Sequence, residues 1–185
     1  MHLSRDCVGR RVRGMVIQGK KLKLVPIEER DTSDVICWRN NVRDKFISRD
    51  LFTIESHTKW LNEVVKKGKA VQYIIDTKQD GKIGSVFLKD IDKMNQKAEF
   101  GIFIGYNDAR GKGYGSEAAG LMIQHGFKEL KLHKIMLRVF SDNYNAIRSY
   151  EKVGFVQEGF LKDEVYLDNR FYDIILMGII KNNKQ

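Results

Sequence analysis

The sequence predicts a single α+β domain: a central mixed, mostly antiparallel sheet flanked by about four helices. Three observations carry this expectation. Between Val71 and Gly105, short apolar runs are joined by links that suit antiparallel neighbours. From Ala98 to Phe140 a strand, a glycine-rich turn, a helix and a second strand follow one another, the pattern of a right-handed parallel crossover. No repeat, low-complexity run or linker divides the 185 residues, a length that suits one domain with a full core.

In chain order, Lys21 to Pro26 alternates polar and apolar and reads as a first strand, ended by the only proline. Glu28 to Asn41 carries a helical pattern through Val35, Ile36 and Trp38. An irregular piece follows, then Thr53 as N-cap of a helix with Ile54, Thr58, Leu61 and Val65 near one face, ending at Gly68. Val71 to Asp76 and Lys82 to Leu88 are strands around the hairpin pair Asp80-Gly81, and Gly84 suggests a bulge or a close backbone approach. The polar stretch from Asp90 to Lys97 turns the chain into the central strand, Ala98 to Gly105. A helix is expected from Ser116 to Leu130, with Ala118, Leu121, Met122 and His125 along one side, and a strand from Lys134 to Phe140. Asp142 or Asn143 opens a further helix that Gly154 ends. Phe155 to Leu161 and Phe171 to Ile180 are the last strands, with an acidic turn, Asp163 to Arg170, between them.

Composition narrows the function. Hydrophobic content of 42% and charged content of 31% are ordinary for a soluble protein. No apolar run approaches the roughly 20 residues of a membrane span. Cys7 and Cys37 form neither a disulfide framework nor a metal-ligand spacing, which points to a reducing cytoplasm and to no metal. The net charge of +9 is concentrated: Arg5, Arg10, Arg11, Arg13, Lys20, Lys21 and Lys23 against Asp6 place +6 in the first 23 residues. That distribution describes a basic, flexible extension over residues 1–14 ahead of a domain over 15–185, rather than a nucleic-acid face.

The strongest chemical pattern is Arg110-Gly111-Lys112-Gly113-Tyr114-Gly115 directly before a helix. Glycines on alternate positions let the backbone turn sharply and approach a ligand closely. The helix that follows points unsatisfied N–H groups and the positive end of its dipole into the turn, and Arg110 and Lys112 add charge. The spacing is neither a P-loop nor a dinucleotide fingerprint. A second pattern follows about thirty residues on: Asn143-x-x-Ala146-x-x-x-Tyr150-Glu151-Lys152-x-Gly154-Phe155, with Asn143, Ile147 and Tyr150 on one helical face.

Together the two segments resemble the acetyl-CoA motifs of the GCN5-related N-acetyltransferase (GNAT) superfamily, and the resemblance covers roughly Lys20 to Ile180. Within it, Trp38-Arg39-Asn40, His57 with Trp60, Ala98-Glu99 and the ending Asp173-x-Ile175-Leu176-Met177-Gly178 look like the branch of ribosomal-protein and nucleotide-linked amino-sugar N-acetyltransferases. The resemblance implies a sheet splayed at the acetyl-CoA site, with backbone groups around Phe103 and Ile104 bonding the pantetheine arm. It implies amides from Arg110 to Ser116 (Gly111, Lys112, Gly113, Tyr114 and Gly115 between them) on the pyrophosphate, and Asn143 facing the arm. It also implies a wall of the acceptor pocket from the two early helices, where Arg39, His57 and Trp60 are the substrate-binding candidates.

Glu99 is the expected base, because an amine protonated at neutral pH must lose its proton and the neighbours Ala98, Phe100 and Ile102 suggest an apolar setting that raises a carboxyl pKa. Tyr150 is the expected acid toward the departing sulfur. The expected function is acetyl transfer from acetyl-CoA to a primary amine of a small molecule, a nucleotide-linked amino sugar being favoured. The alternatives are a protein N-terminal or polyamine acetyltransferase and a non-catalytic acyl-CoA sensor. No nucleic-acid or membrane partner is expected, and a homodimer is compatible with this reading.

Overall fold

A computed structural model describes residues 14–182. The basic extension, apart from Gly14, lies outside the described residues. Eight strands form one sheet in the order β1-β2-β3-β4-β5-β6-β8-β7. They are β1 Ile17–Gln18, β2 Leu22–Pro26, β3 Val71–Thr77, β4 Gly81–Asp92, β5 Lys97–Ile104, β6 Lys134–Phe140, β7 Val156–Leu167 and β8 Arg170–Ile180. Every neighbouring pair is antiparallel except β5 with β6. The mixed sheet expected from the sequence is therefore present, with its parallel step at the expected crossover.

Alternation along β3 shows how the layers form. Tyr73 and Ile75 enter the large core under α3 (Tyr114–Lys128), whereas Ile74 enters a smaller one with Val35 and Trp38 of α1 (Thr32–Asn41) and Phe103 of β5. Side chains two apart along a strand share a face, so β3 must be apolar on both. Burying each such side chain contributes about 1.5–3 kcal/mol. Asp31, just before α1, is almost fully buried, and its carboxylate accepts from Lys82 at 2.7 Å, tying the start of that helix to β4.

Several boundaries differ from expectation for identifiable reasons. β1 is a two-residue strand closed by a short turn, too brief to show a period. The second helix, α2 (Ile54–Trp60), has the expected Thr53 cap but continues as a π turn over Leu61–Val65, with Lys66 N donating to Leu61 O at 2.9 Å. Its buried face carries His57 and Leu61, while Ile54 stands 68% exposed. The expected acidic turn over 163–170 is mostly strand. β7 runs on to Leu167, absorbs a bulge at Asp163 (φ 51°), and turns only through Asp168 and Asn169, both at positive φ. An exposed edge strand shows little apolar alternation, so its polar half reads as a turn. Gly84 is the expected close approach: a Cβ there would stand 2.0 Å from Phe103 O.

Candidate active site

The site begins where β5 and β6 part. Their register runs from Lys97–Lys134 through Glu99–Met136 and stops, although β5 continues to Ile104 and β6 to Phe140. Gly105 N donates to Ile83 O of β4 at 2.9 Å, and Phe103 faces Ser85 two residues earlier in the same register. Odd-numbered residues of β5 thus turn their peptide groups toward β4, and even-numbered ones toward β6. Beyond Glu99 those even groups open onto the gap at Ile102 and at the Ile104 N–H, whereas Ile104 O is taken by Arg110. The Phe103 peptide, expected at the pantetheine arm, lies instead in the β4 ladder, and its ring packs in the smaller core.

The chain then passes through the glycine turn into α3, which starts two residues earlier than expected because Gly113 is its N-cap, at φ 84° and ψ 1°. Glu117 N donates to Gly113 O, so the N–H groups of Tyr114, Gly115 and Ser116 have no helical acceptor. Gly111 is also left-handed (φ 77°), and a Cβ there would meet nothing within 4 Å. The lysine of the turn is spent elsewhere. Lys112 Nζ contacts both carboxylate oxygens of Asp80 at 2.9 and 3.0 Å, and the Tyr114 hydroxyl donates to the same carboxylate at 2.9 Å. Lys112 therefore braces the turn against the β3–β4 hairpin instead of adding free charge. Arg110 Nη2 donates to Ile104 O at 3.0 Å, closing the turn onto the end of β5.

Across the gap lies α4 (Tyr144–Lys152), with Asn143 as its N-cap, accepting from Ala146 N at 3.4 Å. Tyr150 projects from this helix between Phe100 and Phe155, edge-on to each, with centroids at 6.0 and 5.9 Å. Burial pushes its phenol up to about 12, so it stays protonated across the working pH range. The cavity bounded by these parts has a volume of about 1550 Å³ and reaches from the glycine turn to the early helices.

At the far end stand the acceptor candidates. Glu99 lines the cavity, half-buried, with Lys89 Nζ at 3.2 Å directly across the β4–β5 register. The expected apolar setting is not what surrounds it: Ala98, Phe100 and Ile102 belong to the opposite face of the sheet. Arg39 is 5% exposed, its guanidinium 3.8 Å from the centroid of Phe46 and 5.0 Å from that of Phe52, with Nη2 donating to Ser48 O at 2.7 Å. His57 is buried, with Nδ1 3.1 Å from Thr32 Oγ1, and burial lowers its pKa against a smaller opposing pull from Asp31. Trp60 donates from Nε1 to Gln72 Oε1 at 2.7 Å. Arg39, His57 and Trp60 all line the same cavity.

Residues the sequence did not reveal complete this end. Arg49 pairs with Asp168 of the β7–β8 turn, and Arg170 sits 4.1 Å over the Tyr172 ring. Lys89 and Ile102 were in principle legible from strand parity once the register was known. For Arg49 and Tyr172, brought together from distant segments, the sequence offers no local pattern.

A profile of the acetyltransferase (GNAT) domain family matches residues 21–156. Spermidine N(1)-acetyltransferase of Vibrio cholerae is 33% identical over 60% of this chain, a stretch that spans 64% of that enzyme. An uncharacterized N-acetyltransferase, p20, of Bacillus licheniformis is 30% identical over 83% of this chain and 89% of its own. A crystal structure of the Vibrio cholerae spermidine N-acetyltransferase, in complex with CoA and spermine, superposes with a TM-score of 0.79 at 28% identity. That superposition covers 86% of this chain and 95% of the other.

Proposed function

We propose that this chain, which belongs to the acetyltransferase (GNAT) family, transfers the acetyl group of acetyl-CoA to the primary amine of a small molecule. The observation that carries the reading is the gap between β5 and β6 ending at an open helix N-terminus. A strand edge with free peptide groups suits the amides of a pantetheine arm. Free N–H groups at Tyr114, Gly115 and Ser116 suit a pyrophosphate, which the helix dipole also attracts. Phe103 has no direct part in this reading, because Ile102 joins Ile104 beside the arm; the Lys112 side chain fixes the turn against Asp80, while its backbone N–H keeps its part toward the pyrophosphate. Asn143 lines the cavity, and with its oxygen capping α4 its amide nitrogen is the group left to meet the arm.

Bound acetyl-CoA supplies a thioester carbonyl and a thiolate leaving group. Tyr150 holds the proton that assists departure of sulfur, and the aromatic packing on either side fixes where that proton is presented. Glu99 accepts the proton of the amine, directly or through water, with Lys89 fixing its position.

Two acceptor readings stand. The relatives that are spermidine acetyltransferases favour a polyamine. A nucleotide-linked amino sugar is favoured by the cavity wall, where nine Lys and Arg face three Asp and Glu. Thiol release from acetyl-CoA, measured against spermidine, a nucleotide-linked amino sugar and a peptide N-terminus, tests the reading. Turnover with a small amine supports it. Turnover with the peptide alone assigns a protein acceptor, and acetyl-CoA binding without turnover assigns a sensor.

A further inference from the structure

We infer that the acceptor end of the cavity is built to receive an anionic group, phosphate or carboxylate, carried by the amine substrate, with Arg39 as its principal partner. The inference rests on the acetyl-transfer reading above and adds the charge of the substrate to it.

Arg39 is a cation sealed in the wall without a counter-ion. Among the described residues no carboxylate stands within 4 Å of it, and its Nη1 has neither a hydrogen-bond partner nor access to solvent. Asp50 acts on it only at longer range, and burial dominates, bringing its pKa down to about 10. A buried charge is costly unless paired and hydrogen-bonded, and native buried donors nearly always have acceptors. Two further unpartnered nitrogens stand at this end: Arg49 Nε, on a side chain that is only partly buried, and His57 Nε2, on a ring that is 1% exposed and whose other nitrogen is engaged by Thr32. Two buried side chains lining one cavity, each with an unpartnered polar nitrogen, mark a site that lacks its ligand's atoms.

The carboxylates of the wall point the same way. Asp44 is held by Lys45 at 2.8 Å, Glu99 by Lys89 at 3.2 Å, and Asp142 faces Arg170 at 3.7 Å. All three are already paired, which leaves none to hold the second ammonium of a polyamine. At the cofactor end the cations Arg110, Arg148 and Lys152 have phosphates of acetyl-CoA to meet. Arg39, at the other end, does not. Its guanidinium, stacked on Phe46 and with Nη2 held by Ser48 O, leaves Nη1 as the donor for a phosphate or carboxylate oxygen.

The test uses the full chain and two readouts. In the first, glucosamine 6-phosphate, glucosamine, an amino acid and spermidine are compared as acceptors by thiol release. We expect an anionic amine to exceed its neutral counterpart at least tenfold in kcat/KM, with the phosphate and the carboxylate arms separating the two sources of charge. Arg39→Gln should raise KM for the anionic amine at least tenfold more than for the neutral one. In the second, with the glycine turn filled by saturating acetyl-CoA in turnover and by saturating CoA in melting, inorganic phosphate should compete with the amine and should raise the melting temperature of the parent but not of Arg39→Gln. Should that variant not fold, His57→Gln replaces it, with the same expected loss of phosphate competition. Spermidine as the best acceptor, with phosphate failing to compete, overturns the inference while leaving acetyl transfer intact. No turnover with any amine removes the acetyl-transfer reading, and the phosphate melting shift still decides the anion site.

Discussion

The two ends of the cavity are made of different material. The end at the glycine turn, proposed for the cofactor, is largely backbone: the Ile102 peptide and the Ile104 N–H, then the open N–H groups of Tyr114, Gly115 and Ser116, within one continuous stretch. The acceptor end is side chain: Arg39 over Phe46, Trp60 on Gln72, Glu99 on Lys89, and Arg49 on Asp168, gathered from α1, α2, the segment between them, the central strands and the last hairpin. A backbone site depends on where the chain can bend, so it tolerates many side chains and few changes of glycine. A side-chain site depends on which helices and hairpins meet, so its members come from segments far apart in sequence.

The largest effect is expected where the two ends meet. Tyr150→Phe keeps the ring between Phe100 and Phe155 and removes one hydroxyl. General-acid assistance is typically worth about 10² to 10⁴ in rate, so turnover should fall by at least about 10² with acetyl-CoA affinity little changed. A loss below fivefold, measured with affinity on the same preparation, would assign the tyrosine to packing alone.

Next comes the backbone end. Gly113→Val forces a β-branched residue into a left-handed N-cap (φ 84°) at the mouth of the turn. Acetyl-CoA affinity should weaken at least about tenfold, near 1.4 kcal/mol. Calorimetry on a folded variant with parental affinity would break the comparison, because the turn would then not be the cofactor's cradle.

A milder change sharpens the same point. Asp80→Asn leaves the glycines alone but weakens the carboxylate that holds both Lys112 and the Tyr114 hydroxyl. KM for acetyl-CoA should rise about threefold, as for loss of a partly exposed ion pair worth less than about 1 kcal/mol, with kcat spared. An effect equal to that of Gly113→Val would mean that the lysine contacts the phosphates after all.

The same contrast explains what the sequence disclosed. The β3–β4 hairpin, the glycine turn and the α4 cap each lie within a few neighbouring residues, so their patterns are local. The parity of β5 needed a long-range register, Gly105 to Ile83, and without it the peptides facing the gap could not be told from those facing β4. The apolar setting expected around Glu99 failed for the same reason: its sequence neighbours face the other side of the sheet. The Lys112 side chain read as free positive charge at the turn because Asp80, its partner, lies 32 residues away. Arg39, His57 and Trp60 were placed at the acceptor end only by resemblance, and their partners Phe46, Thr32 and Gln72 became visible only in three dimensions.

The smallest expected effect probes the acceptor end through stability rather than rate. Burial holds His57 neutral in the folded chain, so its folded pKa lies below the usual 6.5, with Asp31 opposing the shift only in part. The neutral ring therefore contributes stability that is fully present above pH 6.5. As pH falls from there toward the folded pKa, the unfolded chain takes up a proton that the folded chain refuses, and that contribution is lost. Melting temperatures between pH 7.5 and 5 should fall more steeply for the parent than for His57→Gln, by an amount on the order of a few °C across the window. His125 is lowered by burial in the same direction, so the variant should keep part of the acid slope. Parallel curves for parent and variant would show that the imidazole is not desolvated. The unpartnered Nε2 would then be open to water instead of waiting for a ligand, and the contrast between a backbone-built and a side-chain-built end would lose one of its members.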